Sequence, residues 1–149
     1  MTTSGRSEHA DTYAGNADFW VRIIRDGLDP YRGRLTDQAV LTAVGDCSGC
    51  EVLDAGCGEG YMSRILADRG AKVTGIDTSS ALIAAASSHP DARTTDARFY
   101  VANVEDIPEP NERFDLGVCN HVMSDVDDPA TALKELGRVL RPGGRLVVN

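Results

Sequence analysis

The stretch that most constrains this chain is Val52-Leu53-Asp54-Ala55-Gly56-Cys57-Gly58-Glu59-Gly60-Tyr61, where a short apolar run meets three alternate glycines and a helical pattern follows. Glycines at a strand exit let the backbone turn sharply and approach a ligand without intervening side chains. The helix that opens behind them offers unpaired N–H groups to an acidic ligand group. The spacing is Gly-x-Gly-x-Gly, because Tyr61 follows Gly60; a dinucleotide loop places its third glycine one residue later. Asp54 stands two residues before Gly56, at the mouth of the strand, where a carboxylate can orient an ammonium directly or through water. A pyrophosphate would meet repulsion there, so a nicotinamide-dependent oxidoreductase fits the loop poorly.

A second acid sharpens this picture. Val73-Thr74-Gly75-Ile76-Asp77 reads as the next strand, ending in a carboxylate 17 residues past Gly60. A carboxylate in that place can accept both hydroxyl protons of a ribose diol. Taken alone, Asp77 ahead of Thr78, Ser79 and Ser80 reads as a helix cap.

From Cys50 onward, short apolar runs alternate with amphipathic helices, and no two-residue hairpin signal joins successive strands, which predicts a parallel α/β sheet. Strands are expected near 51–55, 71–76, 98–103, 114–120 and 145–149, with helices near 60–69, 79–88 and 129–140. Asp128 caps the last helix, Pro129 takes its first position, Leu133, Leu136 and Leu140 point inward, and Arg141-Pro142-Gly143-Gly144 breaks it. Two helices precede the sheet. Asp18 caps one that carries Phe19, Trp20, Ile23 and Ile24, and Thr36 caps another that carries Val40, Leu41 and Val44 and stops at Gly45. Residues 1–17 read as a polar, flexible leader and 18–149 as one domain.

Composition removes several classes of function. The net charge of −8, with an isoelectric point of about 4.7, opposes binding to a phosphate backbone, so no nucleic-acid partner is expected. Arg22, Arg25, Arg32 and Arg34 are interleaved with Asp26, Asp29 and Asp37 and read as a solvated face. No apolar run is long enough to span a bilayer and the polar start lacks a signal-peptide core, so no membrane partner and a cytoplasmic setting are expected. Cys47 and Cys50 have metal-like spacing but no second ligand pair, and Cys57 and Cys119 lie in the glycine loop and at a strand end. All four read as reduced structural thiols, with no metal site.

Taken together, these segments resemble the class I S-adenosylmethionine-dependent methyltransferases of the small-molecule type, over roughly residues 50–148. The resemblance implies a Rossmann-like three-layer α/β/α sandwich with five mostly parallel strands in the order 3-2-1-4-5, the C-terminal part of the family fold being absent. It implies S-adenosylmethionine as cofactor, with Asp54, Gly56, Gly58 and Gly60 forming the methionine-side loop and Asp77 the ribose acid. Ala55 and Thr78 join the implied cofactor contacts. Asn103 and Val104 match the adenine segment, although the family often carries Asp at the first place, which predicts weaker binding. Cys119 matches a position that acts through its main chain, and Tyr13 resembles a lid tyrosine.

The implied reaction is in-line transfer of an activated methyl to a small-molecule acceptor, for which no dedicated acid or base is obligatory. His121 lies near the expected acceptor position but reads as a strand-end residue, and Asp125 and Asp127 read as turn and cap residues, so no catalytic residue is assigned. Because the sequence stops at Asn149, it reads as a piece of a longer enzyme or a shortened chain. The unpaired sheet edge is then expected to favour self-association, and a non-catalytic S-adenosylmethionine-binding module stands as the alternative.

Overall fold

In the computed structural model, residues 15–149 are described. Five parallel strands form one sheet: β1 (Glu51–Ala55), β2 (Lys72–Asp77), β3 (Ala97–Val101), β4 (Phe114–Cys119) and β5 (Leu140–Val148). Their order is β3-β2-β1-β4-β5, as expected. β1 is central, pairing with β2 on one side (Asp54 opposite Gly75) and β4 on the other (Asp54 opposite Val118). A strand covered on both faces needs a continuous apolar run, and Val52 and Leu53 are each fully buried.

Among the described residues, five α-helices flank the sheet: α1 (Ala17–Arg25), α2 (Asp37–Val44), α3 (Tyr61–Asp68), α4 (Ser80–Ser88) and α5 (Pro129–Val139). On one face Val40 and Val44 of α2 and Met62 and Leu66 of α3 pack against Val52, Val73, Leu116 and Val118. On the other, Ala132, Leu136 and Val139 of α5 cover Leu53, Ala55, Ile76 and Phe114. This alternation along β1 follows from its period of two. Each fully buried side chain such as Leu53 adds roughly 2 kcal/mol of apolar burial.

Several boundaries differ from the sequence expectation for local reasons. β3 ends at Val101 rather than 103, because Asn103 Oδ1 accepts the Glu105 N–H and Asp106 N bonds Asn103 O, turning the chain away from the sheet. β5 begins at Leu140, directly behind α5; Leu140 pairs with Phe114, the register shifts, and Arg145 then faces Leu116. The Pro142-Gly143 break thus falls inside the strand. Leu133 is 47% exposed, since the buried stripe of α5 runs through Ala132, Leu136 and Val139 and Leu133 lies about 100° round the helix.

At the front of the domain, α1 is entered through Asn16, and Asp18 sits in its first turn. Thr36 is helical and its hydroxyl donates to Arg32 O, because a π-helical turn, Arg32–Thr36, runs into α2. Asp29 opens that turn by accepting the N–H groups of Tyr31 and Arg32. α4 is capped by Ser79, whose Oγ accepts from Leu82 N, and α5 by Asp128, which accepts from Ala130 N and Thr131 N. Among the described residues no helix is long and apolar enough to cross a membrane.

Candidate cofactor cavity

A cavity of about 350 Å³ opens at the carboxyl ends of β1, β2 and β4, where β1 lies between strands that run on to opposite sides of the sheet. This is the topological switch point at which ligands of open α/β sheets bind. Its floor is the loop after β1. Gly56 N and Cys57 N both donate to Ile76 O, at 2.7 and 2.9 Å, and Gly58 N donates to Asp77 Oδ2 at 2.9 Å. Gly56 (φ 75°) also lies against Val122: a Cβ there would stand 2.2 Å from Val122 Cγ2. Beside Gly58 there is open space, so the cavity side of the loop is bare backbone.

Asp54 is 1% exposed, and Ser63 Oγ donates to its Oδ2 at 2.6 Å. Burial pushes its carboxyl up to about 6; the Ser63 bond opposes that rise and the negative charge of Asp77 adds to it. Burial also raises Asp77, while the N–H groups of Ser79 and Gly58 hold it down. Two carboxyl groups, one fully buried, therefore face a common cavity with few donors to satisfy them. A bound cation and hydroxyl donors would complete that donor set.

Residues expected at the site divide into two groups. Asp54, Gly56, Gly58, Asp77, Thr78, Asn103 and Val104 share the cavity wall. Ala55, Gly60 and Cys119 lie behind it: Ala55 is fully buried, Gly60 packs against Phe99 and Ala86, and the Cys119 carbonyl accepts Asn149 N–H at 3.1 Å. Asn103 is more engaged than expected, its oxygen accepting from Glu105 N and its amide donating to Glu105 Oε2 at 3.3 Å. Tyr13 and most of the leader lie outside the described residues. Asp77 is not itself the cap of α4, a role taken by Ser79.

Several wall residues were not legible in the sequence. Trp20 and Ile24 of α1 and Arg32 from the π turn close one side. Arg32 had read as part of a solvated face, yet its Nε is buried with no hydrogen-bond partner, and Asp29 Oδ2 lies 3.7 Å from it. Nearby, Tyr61 donates to Asp37 Oδ2 at 2.9 Å, and burial raises the Asp37 carboxyl, which is 4% exposed. Within the glycine loop, the Glu59 side chain is fully buried between Arg64 (2.7 Å) and Arg25 (3.1 Å). Partners 34 residues apart leave no spacing signal in one sequence. His121, which the sequence had placed near the acceptor position, does line the wall, at a positive φ of 58° unusual for a non-glycine residue, with its main-chain N–H donating to Asn149 O.

The sheet order, the bare glycine loop and the paired acids define a Rossmann-like α/β domain with a ligand cavity at its switch point. Residues 53–148 match the family described as "Methyltransferase domain", and the chain belongs to that family. It is 32% identical over 119 residues to a ubiquinone biosynthesis O-methyltransferase of Coxiella burnetii, covering 80% of this chain and 49% of that protein. A malonyl-[acyl-carrier protein] O-methyltransferase of Pseudescherichia vulneris is 39% identical over 111 residues, covering 74% and 43%. Among solved structures, an S-adenosylmethionine-dependent methyltransferase from Mesorhizobium loti superposes with a TM-score of 0.67 at 28% identity, covering 74% of this chain and 51% of that one. The chain spans about half the length of the curated relatives it matches.

Proposed function

We propose that the chain binds S-adenosylmethionine in the cavity at the strand exits and serves transfer of its methyl group to an oxygen of a small-molecule acceptor. The observation that carries this reading is the placement of Asp54 and Asp77 on one cavity wall with the glycine loop between them. When bound, S-adenosylmethionine supplies an electrophilic methyl on a sulfonium, so the protein need not generate one.

The residues divide the work. Asp54, nearly without solvent, holds the cofactor's ammonium and is kept in place by Ser63. Asp77 retains lone pairs for the ribose hydroxyls beyond the two N–H bonds it accepts. Arg32 brings a cation to the side of the cavity near Asp54, where a carboxylate finds its partner. The segment Asn103–Val104 takes the adenine end. Asn120, His121 and Val122, beyond β4, border the space left for the acceptor and exclude water from it. An oxygen acceptor is favoured because both named relatives are O-methyltransferases.

Calorimetric titration with S-adenosylmethionine and S-adenosylhomocysteine tests the first half. Binding at micromolar concentration in the wild type and none in Asp77→Ala is expected; wild type that binds neither overturns the reading. Incubation with labelled cofactor and a panel of phenolic and carboxylic acceptors tests the second. Label found only on nitrogen or sulfur acceptors would overturn the choice of oxygen.

A further inference from the structure

The Arg25 guanidinium, in the last turn of α1, reaches two other elements. Its Nε lies 3.1 Å from Glu59 Oε2 in the glycine loop, and its Nη2 donates to the Ala85 carbonyl of α4 at 3.0 Å. Elsewhere in α1, Ala17 is buried, Trp20, Val21, Ile23 and Ile24 are half-buried, and Phe19 is 57% exposed. The same helix supplies Trp20 and Ile24 to the cavity wall.

Glu59 makes an unusual partner for a surface arginine. Its carboxylate has no exposure, and Arg64 fixes it by a 2.7 Å bond to Oε1 and a second 2.7 Å bond to the Glu59 carbonyl. The acceptor that meets Arg25 is thus preorganised and dry, unlike the mobile pairs whose ordering entropy cancels their attraction. Removing Arg25 would still leave Glu59 paired with Arg64, so no buried charge is stranded.

We propose that Arg25 is a positioning residue that docks α1 over the cavity, so that Trp20 and Ile24 complete the wall against the bound cofactor. Glu59, as a member of the glycine loop, ties that docking to the floor of the same cavity. The inference rests on the reading that the cavity takes S-adenosylmethionine.

Trp20 is the one tryptophan of the chain, so its emission reports the docking of α1 directly. The experiment compares wild type, Arg25→Gln and Arg25→Lys. Without ligand, acrylamide quenching of Trp20 is expected to rise about twofold in Arg25→Gln, with a red shift, while the melting temperature stays within about 3 °C. The dissociation constant for S-adenosylhomocysteine should rise about tenfold, mainly through faster release, as for one lost charge-assisted bond. Arg25→Lys, which keeps a cation, should recover much of both effects.

Unchanged quenching and affinity in Arg25→Gln would overturn the proposal. So would lost affinity with Trp20 as shielded as before, because Arg25 would then act by another route. An unfolded Arg25→Gln, with Arg25→Lys also destabilised, would show Arg25 to be part of the core and overturn it as well. Failure of wild type to bind S-adenosylhomocysteine would instead remove the cofactor reading beneath it.

Discussion

The carboxylate of Asp77 accepts the main-chain N–H of Gly58 at 2.9 Å, so the exit of β2 fixes the shape of the loop that leaves β1. Its second oxygen accepts from Ser79 N at 2.9 Å, just ahead of α4. Asp77→Ala removes both acceptors at once. Abolished cofactor binding is expected with the fold retained, together with a stability loss of about 1–2 kcal/mol from the two freed N–H groups. Calorimetry and urea denaturation read the two effects separately; intact affinity would mean that the ribose contact lies elsewhere.

Asp54 sets stability and binding against each other. Its carboxyl, raised to about 6 from 3.8, holds its proton more tightly in the folded chain than in the unfolded one. The stability this provides is complete below pH 3.8 and is lost as pH rises through 6, a loss of up to about 3 kcal/mol. Asp54→Asn, which keeps an oxygen for Ser63, is expected to be more stable than wild type at pH 8 and to lose that advantage towards pH 4. Cofactor affinity should run the other way, falling in wild type as pH drops below 6 because the ammonium needs the anion. Thermal melts and titrations across pH 4–8 test both slopes.

Gly56→Ala should destabilise by about 2–4 kcal/mol, since the new methyl overlaps Val122 and the backbone sits at φ 75°. Pairing it with Val122→Ala relieves the overlap but not the backbone strain. A double-mutant cycle in urea is expected to show favourable coupling of about 1 kcal/mol or more. Additive losses would remove Val122 as the obstacle.

Arg64→Met is expected to cost about 3 kcal/mol, because the buried carboxylate of Glu59 would keep only the half-exposed Arg25. Denaturant midpoints test this against Arg25→Gln, whose loss should be much smaller. Equal losses would contradict the division of labour between the two arginines.

The strands β1 and β2 and the placement of Asp54 and Asp77 at their exits were readable in the sequence because they depend on local signals, whereas the strand order came only from the family resemblance. An apolar run marks β1, glycines mark its exit, and an acid follows the second run. Capping was less legible: Asp18 and Thr36 have the right chemistry, but a π-helical turn and an earlier helix entry placed them inside helices. Leu133 failed because any leucine near the stripe of α5 satisfies a pattern, whereas packing selected Ala132, which lets the helix approach the sheet. The arginines were misread for a different cause. Arg25 and Arg32 are polar residues among acids by composition, and only the folded chain brings Glu59 and the cavity to them.

Among the described residues the cavity is lined by the strand exits together with α1 and the π turn, and by none of the opposite rim of the sheet. Turns lie there, such as Asp46–Gly49, with Gly49 N bonded to Gly70 O at 2.8 Å. On the proposed reading, a mutational library spread over residues 120–127 is expected to change acceptor choice, whereas the same diversity at 45–49 is expected to change stability without changing that choice. Ligand choice and stability are, on that reading, set at opposite ends of one sheet.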